Sequence, residues 1–285
     1  MGEQIHPRRF EGRVAIVTGA STDPGIGTAS ARRLALEGAS VVINARGEGR
    51  LHETERMLRA EGLDVVAVAG SAGADGVADL LVDTAVARFG RIDLLVNSVG
   101  GVPFVGSALD LSREDLLATV GLNTWPGLAL VQAAMFRGLT EGGGAVVNIS
   151  SGSPHKTTPS MAAYAAAKSA LNALTRTLAN DLGRRGVRVN AVSPGLTRTE
   201  ATRDLWGDDG GEAAGRRMLL GRLTEATDVA AAVAFLLSDE ASAITGVLLD
   251  VDAGNHVDTG SWSPFSPDAV GGPGGAATAG GSRVT

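Results

Sequence analysis

Residues 14–27 read VAIVTGASTDPGIG and join a short apolar run to a glycine-rich turn. Three of the first four residues are β-branched, which is typical of a strand buried on both faces of a sheet. Residues 28–37 then predict a helix, and Gly38 ends it. A strand, a glycine turn and a helix in this order form the context that a dinucleotide-binding fingerprint requires.

The glycines of this turn would let the backbone approach a pyrophosphate, and the helix N-terminus would present free N–H groups to it. The candidate residues are Gly19, Ser21, Gly25, Ile26 and Gly27. The alternative is an ordinary glycine-rich loop, because the chain contains 40 glycines. The turn alone therefore indicates a nucleotide site without establishing one.

Apolar runs and helical stretches alternate along the chain. The runs that predict buried strands are 14–17, 41–43, 65–68, 94–96, 145–149, 187–192 and 246–251. The stretches that predict helices include 28–37, 49–61, 76–89, 113–135, 162–182 and 227–238. Alternation of this kind favours βαβ units. We therefore predict an α/β fold: one domain over residues 1–255, with a doubly wound, Rossmann-type, seven-stranded parallel sheet, helices on both faces, and ligands at the carboxyl ends of the strands.

Tyr164 and Lys168 lie four residues apart, which places them one turn apart on one face of a helix. A neighbouring ammonium group favours the phenolate, so we expect Lys168 to lower the pKa of Tyr164 from its reference value near 10. A tyrosine tuned in this way can exchange a proton with a carbonyl or alcohol oxygen. The alternative is a pair of ordinary helix-surface residues.

The composition argues against several classes of protein. The chain has no cysteine, so it has no disulfide and no thiolate metal site, which fits a reducing compartment. Its four histidines show no metal-ligand spacing, and we predict no metal. With a net charge of −6 and no basic block, nucleic acid binding is not expected.

The first residues of the sequence are polar, and its last 30 are rich in glycine and proline. Residues 1–12 lack the apolar core of a signal peptide, and no stretch is long and apolar enough to span a bilayer. We therefore expect a cytoplasmic protein that does not bind membranes. Glycine and proline make up ten of the 30 residues in 256–285, which predicts a mostly disordered tail.

Five motifs occur together and in order between residues 10 and 254. They are the first strand, its Thr-Gly turn, Asn123, the spacing of Ser151, Tyr164 and Lys168, and Pro194-Gly195. With these motifs the chain resembles the short-chain dehydrogenase/reductase family. The resemblance implies an enzyme that transfers hydride between a nicotinamide cofactor and a carbonyl or alcohol group. The functional residues of the family can then be carried over one position at a time.

The resemblance implies four catalytic residues. Ser151, thirteen residues before Tyr164, would donate to the substrate oxygen, with Ser150 as its neighbouring rival. Tyr164 would be the acid/base, and Lys168 would bind the nicotinamide ribose. Asn123 would hold a water that links the lysine to solvent. This role is compatible with capping a helix kink, since Trp125-Pro126 predicts that the helix breaks or bends.

The glycine turn departs from the usual pattern of the family. Its spacing is Gly-x5-Gly-x-Gly rather than Gly-x3-Gly-x-Gly, because Asp23 and Pro24 lengthen it. The longer spacing is similar to the divergent enoyl-reductase branch. That branch usually separates its tyrosine and lysine by six residues, whereas three intervene here. The departure therefore concerns the geometry of the loop more than the function.

Arg46 indicates the type of cofactor. Members that prefer NAD carry an acid near the end of the second strand, where this chain has Ala45. Arg46 could instead pair with a 2′-phosphate, because its planar guanidinium fits phosphate oxygens. The alternative is a solvated arginine at a strand end. We therefore predict that NADP(H) is preferred and that NAD(H) is possible, although Asp23 adds a negative charge to the turn.

The remaining cofactor residues follow from the resemblance. Ser71 would lie near the adenine, and Asn97 and Gly100 beside the adenosine ribose. Pro194-Gly195 would bring backbone to the nicotinamide, and Thr199 would hold its carboxamide. Thr197 competes with Thr199 for that role, but Thr199 matches the family pattern Pro-Gly-x3-Thr.

The substrate side is less specific. The family places a mobile lid near residues 199–220, and Trp206 could cover an apolar substrate or pack as a hinge. Ser151, Ser153 and His155 are the other predicted pocket residues. We predict an NADP(H)-dependent reductase of a ketone or aldehyde, with a non-redox cyclase, epimerase or dehydratase, or a cofactor-bound ligand-binding protein, as alternatives. Helices 113–135 and 162–182 carry surplus alanine and leucine, which favours a homodimer or homotetramer.

Overall fold

A computed structural model describes residues 8–139, 143–154, 156, 158–206 and 208–257. Seven parallel strands form one sheet in the order β3-β2-β1-β4-β5-β6-β9. These strands are β1 (Val14–Thr18), β2 (Ser40–Ala45), β3 (Val65–Ala69), β4 (Leu94–Asn97), β5 (Gly144–Ile149), β6 (Val187–Pro194) and β9 (Leu248–Val251). The predicted seven-stranded, Rossmann-type parallel sheet is therefore confirmed.

Helices connect the strands and cover both faces of the sheet. They are α1 (Ile26–Leu36), α2 (Glu48–Ala60), α3 (Val77–Phe89), α4 (Arg113–Phe136), α5 (Ala162–Gly183), α6 (Glu212–Gly215) and α7 (Ala226–Leu237). Alternate residues of β1 enter two different cores. Ala15 and Val17 pack in the core that also contains side chains of α1, α2 and α7. Val14 and Ile16 pack in the core with α3, α4 and α5.

Some predicted bounds differ from the structure. Helix α1 begins at Ile26, two residues before its predicted start, because Gly25 is already its N-cap. Strand β9 begins at Leu248 rather than 246, because Gly246 has a φ of 77° and cannot continue an extended strand. Of the predicted break or bend at Trp125-Pro126, the break is wrong, since α4 runs through Pro126. Pro126 packs close to Gly73, where an added Cβ would lie 3.3 Å from its ring.

The topology creates one ligand-binding edge. The strand order reverses direction between β1 and β4, and all pairings in the sheet are parallel. The carboxyl ends of all seven strands therefore lie along one edge, with a crevice at the reversal point. The glycine turn leaves β1 at this edge, and Ser151 follows β5 there.

A second, two-stranded sheet lies beyond β6. Strand β7 (Thr197–Arg198) pairs with β8 (Thr224–Glu225). This pairing closes the base of the 199–220 segment, which contains a 3-10 helix over Glu200–Leu205 and the short helix α6. Within the part of the chain that the structure describes, no helix is long and apolar enough to cross a membrane. Residues 258–285, where most of the predicted tail lies, are outside the described residues.

Candidate active site

Two glycines of the turn after β1 are required by close backbone contacts. Gly19 has a φ of 73°, and a Cβ added to it would lie 2.7 Å from the carbonyl oxygen of Ser98. A Cβ on Gly27 would lie 2.4 Å from the carbonyl oxygen of Gly19. Distances below 3 Å to backbone atoms leave no room for a side chain. The turn thus packs tightly between β4 and the start of α1.

The start of α1 suits an anion. Gly25 is the N-cap in an extended conformation, and no side chain caps the helix. The first N–H groups of a helix have no intrahelical acceptor, so those after Gly25 can receive phosphate oxygens. The charge of Asp23 is balanced, because its carboxylate lies 3.1 Å from Nη2 of Arg32. The residues present therefore fit a pyrophosphate despite the longer turn.

Arg46 and Ser71 follow β2 and β3 at the carboxyl edge of the sheet. Arg46 directly follows β2 and is exposed. No hydrogen bond or ion pair of its guanidinium to another described residue is found, so it can meet an incoming anion. Ser71 follows β3 by two residues and is also exposed. Both predicted positions are accessible from the carboxyl edge of the sheet.

Asn97 differs from the other predicted cofactor residues because its side chain points into the protein. Its Nδ2 donates to Oδ1 of Asn148 at 2.8 Å, and Asn148 in turn donates to Thr175 at 2.9 Å. Oδ1 of Asn97 is buried and has no partner among the described residues. The amide therefore ties β4 to β5 and α5, and only its oxygen is left for a ligand.

The structure brings Ser151 and Tyr164 together. Tyr164 is the third residue of α5 and is partly buried beside the loop that follows β5. Burial raises the pKa of Tyr164 above 10, and a hydrogen bond with Ser151 partly opposes this shift. Ser151 Oγ also lies 3.2 Å from Oγ of Ser153 and accepts from its N–H at 3.1 Å. The hydroxyl of Ser151 is thereby held in position.

Ser150, the rival of Ser151, points away from the crevice. Its hydroxyl is buried and donates to Oδ1 of Asn172 at 2.6 Å. This bond joins the end of β5 to α5. Ser150 therefore stabilises the fold below the site, whereas Ser151 faces Tyr164.

Lys168 is fully enclosed one turn after Tyr164. Its Nζ donates to the carbonyl oxygen of Ile149 at 2.9 Å and lies 5.7 Å from the centre of the Tyr164 ring. Desolvation lowers the pKa of Lys168 to about 8. The predicted lowering of the Tyr164 pKa by this ammonium is wrong for the structure described here, because burial dominates and raises that pKa.

The lowered pKa of Lys168 predicts a pH-dependent stability. Below about pH 8 both folded and unfolded chains carry the proton, but between 8 and 10.5 the unfolded chain binds more protons, so the free energy of unfolding rises with pH. A Lys168→Met protein lacks this titration. The wild type should therefore gain about 2 kcal/mol relative to the variant between about pH 7.5 and 10, measured by urea denaturation. Leu171→Met, on the same helix, is the control, and parallel wild-type and Lys168→Met curves would contradict the shift.

Asn123 holds the loop after β4 rather than a kink in α4. Its Nδ2 donates to the carbonyl oxygens of Gly101 and Thr119, both at 2.8 Å, and its Oδ1 accepts from the N–H of Gly101 at 3.1 Å. A Cβ on Gly100 would lie 2.8 Å from this oxygen and 3.1 Å from Nζ of Lys168. Gly100 thus permits the close approach of this loop to both side chains.

The turn after β6 is held against the last strand. A Cβ on Gly195 would lie 2.7 Å from Cβ of Asp252, and its N–H donates to Val251 at 3.1 Å. Thr199 is buried, with Oγ1 3.0 Å from Oγ1 of Thr202. The hydroxyl of the competing Thr197 donates to the carbonyl oxygen of Gly195 at 3.1 Å. Both hydroxyls therefore have internal partners.

Trp206 packs within the 199–220 segment. Its Nε1 donates to Oγ1 of Thr202 at 3.2 Å, and the guanidinium groups of Arg198 and Arg203 lie 5.5 Å and 5.9 Å from its ring. The ring is only half-buried, so part of its surface is open. His155, the other aromatic pocket candidate, lies outside the described residues. No group of three or more metal-ligating side chains occurs in the described ranges.

Sequence reasoning missed an acidic residue, Asp252, beside the turn that follows β6. Asp252 is buried and accepts from the N–H groups of Gly254 and His256, and Nδ1 of His256 lies 2.9 Å from its carboxylate. This pairing raises the pKa of His256. The only signal in the sequence is a His four residues after an Asp, which is too common to be informative.

Known proteins resemble this chain over most of its length. The profile of a family described as "Enoyl-(Acyl carrier protein) reductase" matches residues 19–256. "Dehydrogenase/reductase SDR family member 4" of Caenorhabditis elegans is 39% identical over 254 residues, which cover 87% of this chain and 96% of the relative. "Tropinone reductase-like 3" of Erythroxylum coca is 38% identical over 248 residues, covering 87% and 94%.

Solved structures share the same fold. A short-chain type dehydrogenase/reductase from Mycobacterium ulcerans superposes with a TM-score of 0.81 at 31% identity, covering 87% of this chain and 91% of that one. Levodione reductase superposes with a TM-score of 0.81 at 28% identity, covering 87% and 99%. The residues matched by the family profile, 19–256, include both the glycines of the turn and the helix that carries Tyr164.

Proposed function

Because the chain belongs to the short-chain dehydrogenase/reductase family and is an oxidoreductase of that kind, we propose that it uses NADP(H) to interconvert a ketone or aldehyde and the corresponding alcohol. Tyr164 is the proposed acid/base, and the substrate is a mid-sized organic molecule. Two relatives support the carbonyl direction by their names, which describe a tropinone reductase-like protein and a levodione reductase.

The observation that carries this proposal is the approach of two hydroxyl groups at the carboxyl edge of the sheet. Ser151 lies close enough to Tyr164 for its hydroxyl to oppose the rise in the Tyr164 pKa that burial causes. A carbonyl oxygen between them can accept a hydrogen bond from each, since an sp² oxygen has two lone pairs. This arrangement polarises the carbonyl and places a proton donor at its oxygen.

The electrostatics of the site keep Tyr164 protonated and Lys168 mainly protonated at neutral pH. Burial raises the pKa of Tyr164, so the phenol keeps its proton at neutral pH and can give it to a developing alkoxide. Lys168, with a pKa of about 8, is mainly protonated there and adds positive charge one turn away. Asn123 holds the loop at Gly101 that passes over Lys168.

When bound, the nicotinamide cofactor would supply or accept the hydride. The turn at Gly19, Gly25 and Gly27 would hold its pyrophosphate, and Arg46 a 2′-phosphate. Ser71 and Gly100 would lie at the adenosine part, with Oδ1 of Asn97. Pro194, Gly195 and Thr199 would lie at the nicotinamide part, and Lys168 at its ribose.

The substrate-side roles of Ser153, His155 and Trp206 belong to the same proposal. We also propose that the chain assembles through α4 and α5 as a homodimer or homotetramer. The two helices pack against each other, and α4 leaves Leu117, Trp125 and Phe136 exposed. Exposed apolar side chains on one side of a helix favour association. A cytoplasmic location stays a prediction.

The test of the proposed function is oxidation of NADPH by the purified protein with a panel of ketones and aldehydes. Stoichiometric conversion of NADPH and carbonyl supports the proposal. Binding of NADPH without its oxidation, while the substrate is converted, would instead support the cyclase, epimerase or dehydratase alternative. Binding with no conversion of any ligand would support a ligand-binding protein. An enoyl thioester in the panel tests the reaction in the description of the matched family.

The paired serines give a matched test of which hydroxyl acts. Ser151→Ala should lower kcat about 100-fold, because one donor to the substrate oxygen is lost. Ser150→Ala should leave kcat nearly unchanged and lower the free energy of unfolding by about 1–2 kcal/mol, since Asn172 loses a buried partner. Steady-state kinetics and urea denaturation measure both effects. A larger loss of kcat in Ser150→Ala would exchange the two roles.

A further inference from the structure

The two residues that lengthen the glycine turn lie next to the 199–220 segment. The carbonyl oxygen of Pro24 accepts a hydrogen bond from the backbone N–H of Glu200 at 2.9 Å. Glu200 is the first residue of the 3-10 helix, and its neighbour Thr199 is the N-cap. The bond therefore joins the turn proposed for the pyrophosphate to the residue proposed for the carboxamide.

Both partners of this bond are held by further contacts. On the turn, Asp23 pairs with Arg32 at 3.1 Å, and Arg32 also pairs with Glu61 at 3.1 Å. A Cβ on Gly25 would lie 2.5 Å from the carbonyl oxygen of Thr22, so the turn is tightly folded. Because the turn is tightly folded, we expect Pro24 to move together with the rest of the turn when the turn is displaced.

The opposite side is equally well defined. Thr199 and Thr202 form a reciprocal capping box at the start of the 3-10 helix. The indole of Trp206 donates to Thr202 at 3.2 Å, which ties the end of this helix to its beginning. The N–H of Glu200 is thus fixed in direction by the same helical turn that orients Trp206.

We propose that the hydrogen bond between Pro24 and Glu200 couples binding of the dinucleotide at the glycine turn to the ordering of the 199–220 segment. Pro24 and Glu200 are then positioning residues, and the two-residue lengthening of the turn supplies the acceptor. The inference rests on the proposed function, because it requires the turn to bind the dinucleotide. Coupling between two sites is reciprocal, so ordering of the segment also strengthens dinucleotide binding.

The substitution Glu200→Pro removes the donor of this bond and sets Cδ of the new ring against the carbonyl oxygen of Pro24, so the contact between the turn and the segment is lost. Proline is well tolerated at the first position of a helix, and its fixed φ fits a 3-10 helix. Thr199, with a φ of −139° and a ψ of 163°, is in the extended region that a residue before proline prefers. Glu200→Ala is the matched control, because both variants lose the ion pair with Arg203 but Ala keeps the N–H.

Trypsin reports the order of the segment, because Arg216 and Arg217 are exposed within it. We expect NADPH to slow cleavage there, identified by fragment mass, in the wild type and in Glu200→Ala. In Glu200→Pro this protection should fall about fivefold, and the Kd for NADPH should rise by a similar factor. Without NADPH, the rate of cleavage should be nearly equal in Glu200→Pro and Glu200→Ala. A general loss of folding in Glu200→Pro would instead raise its rate of cleavage.

A deletion of Asp23 and Pro24 removes the acceptor instead of the donor. Adding Glu200→Pro to this deletion should reduce NADPH protection no further, since both changes break one bond. Equal protection in Glu200→Pro and Glu200→Ala, or additive effects with the deletion, would overturn the coupling while leaving the proposed function intact. A wild-type chain that binds neither NADPH nor NADH would overturn both.

Discussion

Tyr164→Phe should lower kcat for carbonyl reduction about 1,000-fold while changing the Kd for NADPH less than about twofold. The substitution removes one hydroxyl and keeps the ring that packs near Lys168. General acid catalysis contributes about 10²–10⁴ to a rate, and this contribution is lost with the phenolic proton. Single-turnover kinetics with NADPH and calorimetry separate the chemical step from binding.

Two outcomes of this experiment would contradict the assignment. A variant that keeps most of its kcat would show that Tyr164 is not the proton donor. A variant that loses NADPH binding along with kcat would indicate that the phenol supports the cofactor site and not the chemistry. Ser150→Ala is a useful companion, because its hydroxyl lies below the same loop but is bonded to Asn172.

Arg46→Ala should weaken NADPH binding about 10- to 100-fold and leave NADH binding nearly unchanged. The guanidinium is exposed at the end of β2, and a charge-assisted contact to a phosphate contributes about 1.5–3 kcal/mol. NADH lacks the 2′-phosphate and so has nothing to lose. Quenching of tryptophan fluorescence by each dinucleotide measures the two Kd values, and the effect on NADPH should shrink as salt concentration rises.

Arg50→Ala is the matched control for Arg46. Arg50 is another exposed arginine, four residues further along in α2, and it should affect NADPH binding only slightly. A preference of the wild type for NADH, or equal losses for both dinucleotides in Arg46→Ala, would refute the role assigned to this residue. The protein would then be assigned to NAD(H), with the ribose contacts carried by other residues.

The inner strands β1 and β4 were predictable from the sequence because they are buried throughout and read as apolar runs, whereas the edge strands β3 and β9 are only partly buried. Val14, Ile16 and their neighbours leave no polar alternation that could suggest another structure. The errors occur where conformation depends on one special residue, as at Gly246 before β9. The continuity of α4 through Pro126 was not predictable from the local pattern, and neither was the proximity of Pro126 to Gly73, more than 50 residues away in sequence.

Much of the proposed site was predictable as a set of residue types in order, but its internal contacts were not. The pairing of Asn97 with Asn148 depends on the alignment of β4 with β5. The pKa of Tyr164 was expected to follow the nearby charge, whereas the structure adds the desolvation that reverses the shift. The contact between Pro24 and Glu200 joins residues 176 positions apart, which no local pattern encodes.

The contact between Gly195 and Asp252 has a consequence for the order in which the chain is made. The turn after β6 rests on residues at the end of β9, which follows the other described strands along the chain. Until residues 248–252 have been synthesised, β6 is an open edge of the sheet and its terminal turn has no support. A chain truncated before Leu248 would therefore contain every proposed catalytic side chain but lack the support of the turn proposed to lie at the nicotinamide, so we expect it to be inactive.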